Sequence, residues 1–363
     1  MRVFLFLLYP FALLYALLLM LRNKAYDWGL LRSKRFDVPV ISVGNLSMGG
    51  TGKTPHVEYL IKLLKGDFNP VVISRGYKRK SRGFVLAAPD STSLDIGDEP
   101  LQISRKFPEI PVAVDANRVR GISRILQKRP ATDVILLDDA FQHRAVKPGL
   151  SILLTDFHNL YAEDYPVPVG TLREARSGAH RADIIIVTKS GRTLSPITVR
   201  QITEQLKPKP HQQLLFSYIS YGSLTPLPGS TAQLPAEKVS SVLLFAGIAN
   251  IYPLQDHVVS LSNYQEIIEF SDHHRYTDKD YEKIRKAFEN LFIKNKIIIT
   301  TEKDAMRIAI PHIPELLADL PVFYIPIEIK IHPEFRKSFN EQIRNYVRSN
   351  SGNSSVPPQQ NQR

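Results

Sequence analysis

Residues 38–65 read VPVISVGNLSMGGTGKTPHVEYLIKLLK, and this order predicts a buried strand, a glycine-rich loop and an amphipathic helix. The apolar run at 40–43 is rich in β-branched side chains, which favour a strand covered on both faces. Gly44 and Asn45 end that run. Pro55 suits the first turn of a helix, where a missing N–H group costs least. The chain is therefore expected to pass from strand to helix through residues 47–54.

The loop has the composition of a phosphate-binding P-loop. Its glycines let successive backbone N–H groups face one anion, and the helix N-terminus adds a favourable dipole. Lys53 is expected to reach the β- and γ-phosphates, and the Thr54 hydroxyl to bind Mg²⁺. Ser47 stands where the P-loop pattern has glycine; the Gly49-Gly50 pair makes this departure tolerable, and a chance glycine turn is the alternative. The predicted ATP-binding residues are Ser47, Met48, Gly49, Gly50, Thr51, Gly52, Lys53 and Thr54.

A pair of acidic residues predicts a magnesium site beside this loop. The apolar run at 134–137 ends in Asp138 and Asp139. A carboxylate at the carboxyl end of a hydrophobic strand holds Mg²⁺ in P-loop enzymes, directly or through water. Adjacent residues of a strand point to opposite faces, so we expect one of the two to face the metal.

The motif Gly97-Asp98-Glu99-Pro100 has two interpretations. Asp98 is a good helix N-cap, and Glu99 and Pro100 suit a first helical turn. Spacing alone slightly favours this capping role over a catalytic one.

Strand and helix patterns alternate along the rest of the chain. Further apolar runs at 70–74, 111–115, 151–155 and 183–188 complete a P-loop NTPase-type α/β pattern, with a parallel sheet covered by helices on both faces. A region rich in Pro, Lys and Gln at 193–211 precedes a second, smaller α/β unit. We expect an N-terminal membrane helix with its basic flank at 1–30, a P-loop domain at 31–205, a second α/β domain with a linker ribbon at 206–345, and a disordered tail at 346–363.

The amino terminus carries the membrane signal. Residues 3–21 form an uncharged apolar run, long enough for a helix that spans a bilayer or inserts part of the way. A cleaved signal peptide is one alternative, but the run lacks the small-residue cleavage site that such a peptide needs. A soluble protein with a buried apolar helix is the other alternative. By the positive-inside rule, the rest of the chain is cytoplasmic because the run is followed by Arg22, Lys24, Arg32, Lys34 and Arg35.

Composition limits the possible partners. The chain has 363 residues, a net charge of +12 and no cysteine, which excludes disulfides and thiolate metal sites. A basic protein binds nucleic acid, anionic membrane surfaces or acidic ligands. The sequence shows no aromatic-basic module for nucleic acid. We therefore expect the protein to bind a membrane surface and an acidic ligand. We expect no obligate protein partner.

Taken together, the motifs resemble the tetraacyldisaccharide 4'-kinase family, the lipid A 4'-kinases of Gram-negative bacteria. Ala140 stands where that family has glycine in DDGFQH, and Arg275 follows the histidine pair where proline is common; neither departure removes a functional side chain. The matching segments follow the family's order over most of residues 35–305: VGNLSMGGTGKTP (43–55), SRGYKR (74–79), GDEP (97–100), LLDDAFQHR (136–144), TLRE (171–174), RAD (181–183), IIIVTK (184–189), FAGIAN (245–250), FSDHH (270–274) and TTEKDA (300–305).

The resemblance implies a reaction and its location. It implies transfer of the ATP γ-phosphate to the 4'-hydroxyl of a tetraacyldisaccharide 1-phosphate, giving lipid IVA, with Mg²⁺ as cofactor. It also implies a two-domain α/β fold with a ribbon linker, whose N-terminal helix rests in the inner membrane on the cytoplasmic side.

Residue roles carried over by motif reverse the capping interpretation of Asp98. Asp98 resembles the family's catalytic carboxylate and His273 its dyad partner, with a surface or helix-start histidine as the alternative for His273. The two lie in different expected domains, so domain closure would form the dyad. Lys53 is expected to stabilise charge on the phosphates.

The resemblance also implies metal and substrate ligands. The metal is expected on Thr54 and Asp138, with Asp139 or Glu99 in support. Candidates for binding the disaccharide and its 1-phosphate are Arg75, Tyr77, Arg118 and Arg173, and Arg173 has the strongest case.

The main rival function is a membrane-associated P-loop ATPase or GTPase switch that acts on a protein partner. The VTK sequence at 187–189 is faintly similar to a guanine-reading motif. Gly191 stands where that motif has an aspartate, which disfavours this interpretation.

Overall fold

Two sheets organise the computed structural model, which describes residues 2–230, 232–234, 239–262, 264–272, 274–292, 295–308 and 313–351. The helices are α1 (Arg2–Asp27), α2 (Lys53–Leu64), α3 (Ser93–Ile96), α4 (Asp98–Lys106), α5 (Arg118–Lys128), α6 (Pro196–Leu206), α7 (Tyr252–Val259), α8 (Asp278–Asn290), α9 (Glu302–Ile308), α10 (Glu315–Ala318) and α11 (Pro333–Asn350), with a 3-10 helix at Arg176–Arg181. The strands are β1 (Val40–Asn45), β2 (Pro70–Ser74), β3 (Val85–Leu86), β4 (Val112–Val114), β5 (Val134–Asp138), β6 (Leu150–Asp156), β7 (Ile184–Thr188), β8 (Gln213–Tyr221), β9 (Thr225–Pro226), β10 (Ser241–Ala246), β11 (Tyr264–Glu269), β12 (Lys296–Thr301), β13 (Val322–Ile325) and β14 (Ile327–Ile331).

The larger sheet has the order β14-β8-β7-β6-β1-β5-β2-β4-β3. Its inner strands run parallel, and β14 and β3 add antiparallel edges. Strand β1 lies between β6 and β5, with Val43 opposite both Ile152 and Asp138. This register brings the loop after β1 and the acidic end of β5 to the same edge of the sheet.

Helices cover both faces of this sheet, as the alternation of strands and helices predicts. Apolar side chains of α2 and α11 pack together on one face, against Ile41 and Leu136. Helix α5 packs on the opposite face against Ile135 and Leu137, and α6 packs beside it against Leu153. The expected α/β fold with a P-loop-type sheet is confirmed.

The smaller sheet has the order β11-β10-β12-β13-β9 and forms the core of the second unit. Strands β8 and β14, however, pair antiparallel with each other as part of the larger sheet. Helix α11 also joins the first unit, because its Phe339, Ile343 and Val347 are buried in the core around α2. Within the segment 206–345, β8 and β14 thus lie in the larger sheet and α11 packs against it, while the boundaries of the second domain stay a prediction.

The carboxyl terminus differs in the same way. A disordered tail is expected from residue 346, but α11 continues to Asn350 because Val347 extends its apolar face. Residues 352–363 lie outside the described part of the chain.

Helix α1 is continuous and includes Pro10. Its side chains at Leu14, Leu17 and Leu18 are exposed. Within the described residues, none of the helices combines the length and hydropathy needed to traverse a bilayer, so the expected membrane-spanning helix is not confirmed. Polar contacts join α1 to the larger unit: the Tyr15 hydroxyl donates to the Arg173 carbonyl at 3.2 Å, and Asn23 donates to Glu174 at 3.2 Å.

Candidate functional site

The P-loop leads directly into α2, whose first residue is Lys53. Gly52, the residue before the helix, has φ +83°, a left-handed conformation that strains any residue with a Cβ. Asn45 at the end of β1 donates to the Thr51 hydroxyl at 2.9 Å. Thr51, Lys53 and Thr54 are all buried, so the loop backbone and the start of the helix are held in one conformation.

His56 connects the P-loop, at its junction with α2, to strand β8. The sequence pattern did not suggest this role. Its Nδ1 lies 2.7 Å from the Gly52 carbonyl oxygen, and its Nε2 lies 3.0 Å from the Ser217 hydroxyl on β8. Burial lowers the pKa of His56 to about 4, so the ring is neutral at physiological pH. A neutral ring can link the P-loop to β8 without placing a second cation beside Lys53.

Asp138 is the residue at this site that most clearly lacks a partner. The side chain is fully buried, and neither carboxylate oxygen has a hydrogen-bond partner among the described residues. Burial raises the pKa of Asp138 to about 8, and the nearby carboxylates of Glu99 and Asp139 act in the same direction. A buried carboxylate without a donor is costly unless a cation binds it, and this fits Mg²⁺.

Asp139 is engaged by cations instead. Arg173 Nη1 lies 3.1 Å from each of its carboxylate oxygens, and Lys53 Nζ lies 3.8 Å from Oδ1. Burial favours a raised pKa for Asp139, but Lys53 and Arg173 outweigh it and hold the pKa below its ordinary value. Asp139 also leaves the strand conformation, with φ +48°. The two adjacent acids thus have different environments.

The four expected metal ligands do not assemble into a complete cage. Among the described residues, no group of three or more histidine and acidic side chains lies close enough together to hold a metal ion. Glu99 lies near enough to influence the titration of Asp138. Asp138 is the acid whose environment fits a metal, and Thr54 is buried at the start of α2; the full ligand set stays a prediction.

The expected substrate residues divide into two groups. Arg75 and Tyr77 lie on the exposed turn after β2, and Arg173 lies beside the P-loop through its N–H bond to the Leu46 carbonyl at 2.7 Å. Arg118 is buried instead, and its guanidinium donates to the backbone carbonyls of Asp115, Ala116 and Asp139 at 3.3–3.4 Å. Its Nε has no hydrogen-bond partner among the described residues, and the expectation that Arg118 contacts the disaccharide stays a prediction.

Asp98 is not a helix cap. Gly97 occupies the cap position with φ +91°, and Asp98 is the first residue of α4. The Asp98 carboxylate pairs with Arg307 of α9, whose Nε and Nη2 lie 3.0 Å and 2.9 Å from Oδ2. The capping interpretation drawn from spacing is therefore wrong. His273, the expected dyad partner, lies outside the described residues, so the dyad stays a prediction.

Arg307 is a second residue that the sequence pattern did not single out. It lies two residues beyond TTEKDA, and its spacing of three from Asp304 predicts an ion pair on one helix face. That spacing says nothing of Asp98, which is distant in sequence and reaches Arg307 only through the contact between α4 and α9.

Comparison with known proteins agrees with the fold and with the motifs. The family profile described as LpxK, tetraacyldisaccharide-1-P 4'-kinase, matches residues 4–345. A tetraacyldisaccharide 4'-kinase of Bacteroides thetaiotaomicron is 46% identical over 98% of this chain and 96% of its own length. One from Phocaeicola vulgatus is 47% identical over 96% of each.

A solved structure matches the whole architecture. The crystal structure of LpxK from Aquifex aeolicus, described as an apo form in complex with ATP, superposes with a TM-score of 0.72 at 28% identity. The match covers 95% of this chain and 99% of that one. The chain therefore belongs to the tetraacyldisaccharide 4'-kinase family.

Proposed function

We propose that the protein transfers the γ-phosphate of ATP to the 4'-hydroxyl of tetraacyldisaccharide 1-phosphate and so forms lipid IVA. The observation that carries this proposal is that a P-loop lies beside the buried Asp138, which has no hydrogen-bond partner in the part of the chain that the structure describes, at the ends of the neighbouring strands β1 and β5. A P-loop supplies donors for phosphates, and a buried carboxylate beside it supplies a ligand for the accompanying metal.

The nucleotide would be held by the loop amides of residues 47–54 and by Lys53. Thr54 and Asp138 would hold Mg²⁺, which when bound neutralises charge on the phosphate oxygens. Lys53 lies 3.8 Å from Asp139, so its ammonium group is directed toward the same region as the acidic end of β5. That arrangement favours stabilising negative charge on the transferred group.

Asp98 is the proposed general base, with His273 as its proposed dyad partner. Its carboxylate would accept the proton of the 4'-hydroxyl while that oxygen forms a bond to the γ-phosphorus. The bond between the γ-phosphorus and the β,γ-bridging oxygen breaks in the same step, and ADP leaves. Asp98 begins α4 at the contact with the second unit, so the reaction would take place where the two units meet.

The acceptor would lie over the exposed basic residues near the P-loop. Arg173, Arg75 and Tyr77 can supply charged and hydroxyl donors to the disaccharide and its 1-phosphate. Arg173 is the leading candidate because it already binds a carboxylate with its guanidinium, and that contact shows an anion-binding geometry.

We also propose that the enzyme works on the cytoplasmic face of the inner membrane, without an obligate protein partner. Each CH₂ group removed from an apolar environment costs about 0.8 kcal/mol, so lifting a four-chain lipid into water is prohibitive. Helix α1 exposes Phe11, Leu13, Leu14 and Leu18, and this apolar surface would enter the interfacial layer.

The test is phosphate transfer from γ-labelled ATP to a tetraacyldisaccharide 1-phosphate in detergent micelles, with a control that lacks lipid. Label in the lipid at the 4' position is the expected result, and Asp138→Asn should abolish it. Label released only as free phosphate, with or without lipid, would favour a P-loop switch instead.

The guanine-binding alternative has no support from Lys189 of the VTK sequence, because Lys189 pairs with Asp156 at 2.7 Å.

A further inference from the structure

Arg307 joins the two units of the protein at the carboxylate proposed to act as the base. Its Nε and Nη2 donate to Asp98 Oδ2, and its Nη1 donates to Asp304 Oδ1 at 2.9 Å. The Arg307 side chain is only 7% exposed, and that of Asp98 is 24% exposed. One guanidinium group therefore bridges an acid of the first unit and an acid of the second.

The second unit fixes the position of Arg307. Asp304 is completely buried, and its Oδ2 accepts hydrogen bonds from the Gly247 N–H at 2.9 Å and the Thr301 hydroxyl at 2.7 Å. Arg307 Nη1 also donates to the Gly247 carbonyl at 3.2 Å. These three hydrogen bonds anchor the Asp304–Arg307 pair to the ends of β10 and β12, and a guanidinium held this way has little freedom to follow Asp98.

The two acids keep Arg307 charged. Burial opposes the charge, but Asp98 and Asp304 together raise the pKa of Arg307 above its ordinary value. A guanidinium that stays charged makes both of its hydrogen bonds to Asp98 Oδ2 charge-assisted, and such bonds hold a carboxylate in a defined orientation.

A second ion-pair cluster joins the same two helices away from Asp98. Lys106, at the other end of α4, lies 2.7 Å from Glu58 and 2.9 Å from Glu302. Those three side chains are also largely buried. The contact between α4 and α9 therefore contains two ion-pair clusters. Arg307 belongs to the cluster that includes Asp98, and Lys106 belongs to the other.

We propose that Arg307 is a positioning residue for Asp98. Held by Asp304, it orients the Asp98 carboxylate relative to the second unit. This inference rests on the proposed role of Asp98 as base.

The test compares Arg307→Gln and Arg307→Lys with Lys106→Gln, in the full chain, by kcat for lipid phosphorylation and by KM for the lipid and for ATP. Arg307→Gln should lower kcat by about 10- to 100-fold, within the range that general-base catalysis contributes. Both KM values should stay within about twofold of wild type, because a positioning residue for the base acts on the chemical step. Arg307→Lys should restore part of kcat, since it keeps a cation beside Asp98. Lys106→Gln disrupts the same interface and should leave kcat within about twofold of wild type.

A double substitution separates positioning from interface stability. In an Asp98→Asn background, Arg307→Gln should cause no more than about a twofold further loss, because residues that act as a unit are non-additive. An equal loss in both backgrounds, or losses of the same size in Arg307→Gln and Lys106→Gln, would overturn the inference. Wild-type protein that fails to label the lipid contradicts the proposed function itself. Wild-type activity retained by Arg307→Gln contradicts only the role of Arg307.

Discussion

Arg173 Nη1 lies 3.1 Å from both carboxylate oxygens of Asp139, so the cation expected to bind substrate phosphate already holds an anion. The contact neutralises Asp139 beside Asp138, for which none of the described residues provides a hydrogen-bond partner. The two neighbouring acids consequently have opposite pKa shifts: that of Asp139 is lowered and that of Asp138 is raised. This difference favours Asp138 over Asp139 as the metal ligand.

Asp98→Asn should remove the proposed base while leaving the nucleotide site intact. We expect kcat to fall by about 10²- to 10⁴-fold, the usual contribution of a general base. Affinity for ATP should stay within about twofold of wild type, because the P-loop is on a different element. Initial rates of lipid phosphorylation and a direct ATP-binding titration measure the two effects. Normal turnover would exclude Asp98 from the mechanism.

Lys53→Ala should weaken both ATP binding and turnover, because its ammonium group is proposed to stabilise charge on the phosphates in the ground state and during transfer. Lys62→Ala is the matched control, since Lys62 is on the same helix but is half exposed and pairs with Glu328. The same binding titration and rate assay apply. Equal effects of the two substitutions would contradict a specific role for Lys53.

Asp138 makes the stability of the metal-free protein depend on pH. Its pKa in the folded protein, about 8, lies above the value of about 3.9 for an unfolded chain. The folded state therefore binds the proton more tightly, and the stability gained from it is present at low pH and is lost as pH rises toward 8.

Thermal unfolding with a chelator at pH 5 and pH 8 tests this dependence. Wild-type Tm should fall over that interval by more than the Tm of Asp138→Asn, which cannot ionise at this position. Added Mg²⁺ should raise the wild-type Tm at pH 8 and have a smaller effect on the variant. Parallel pH curves for the two proteins would show that Asp138 is not the titrating group.

Arg173→Ala should weaken lipid binding more than ATP binding. A hydrogen bond to a charged group contributes about 1.5–3 kcal/mol, which corresponds to roughly a 10- to 150-fold higher KM for the lipid. Arg200→Ala is a suitable control because Arg200 is exposed and pairs locally with Glu204 on α6. An unchanged KM for the lipid would remove Arg173 from the acceptor site.

The exposed leucines of α1 offer a test of the membrane proposal. Replacing Leu14 and Leu18 by Asp should weaken binding to anionic phospholipid vesicles by about 10-fold for each leucine, since burying one such side chain contributes about 1.5–3 kcal/mol. Ile197→Asp alters an equally exposed apolar residue on α6 and should have no effect. Vesicle co-sedimentation is the measurement, and undiminished binding by the α1 variants would argue against α1 as the membrane-binding element.

Local sequence was sufficient for the strand, P-loop and helix at 38–65 and for the acidic end of β5. The side chains that define those elements are neighbours along the chain, so periodicity and glycine placement predict them directly. The same reasoning was wrong about the capping role of Asp98. Aspartate is common at helix starts, and the local pattern does not state which distant group its carboxylate contacts. Nor does any local pattern name the loop carbonyls that the buried guanidinium of Arg118 contacts.

The sequence by itself determined the α/β class, the phosphate loop, the acidic residues beside it and the ordered motifs of the family, because each depends on residues close together in the chain. Tertiary structure alone decided that β8, β14 and α11 complete the first unit, that Arg173 pairs with Asp139, and that Arg307 reaches Asp98. Those relationships join residues far apart in sequence. Packing between whole elements sets them, and no local pattern encodes which helix faces which.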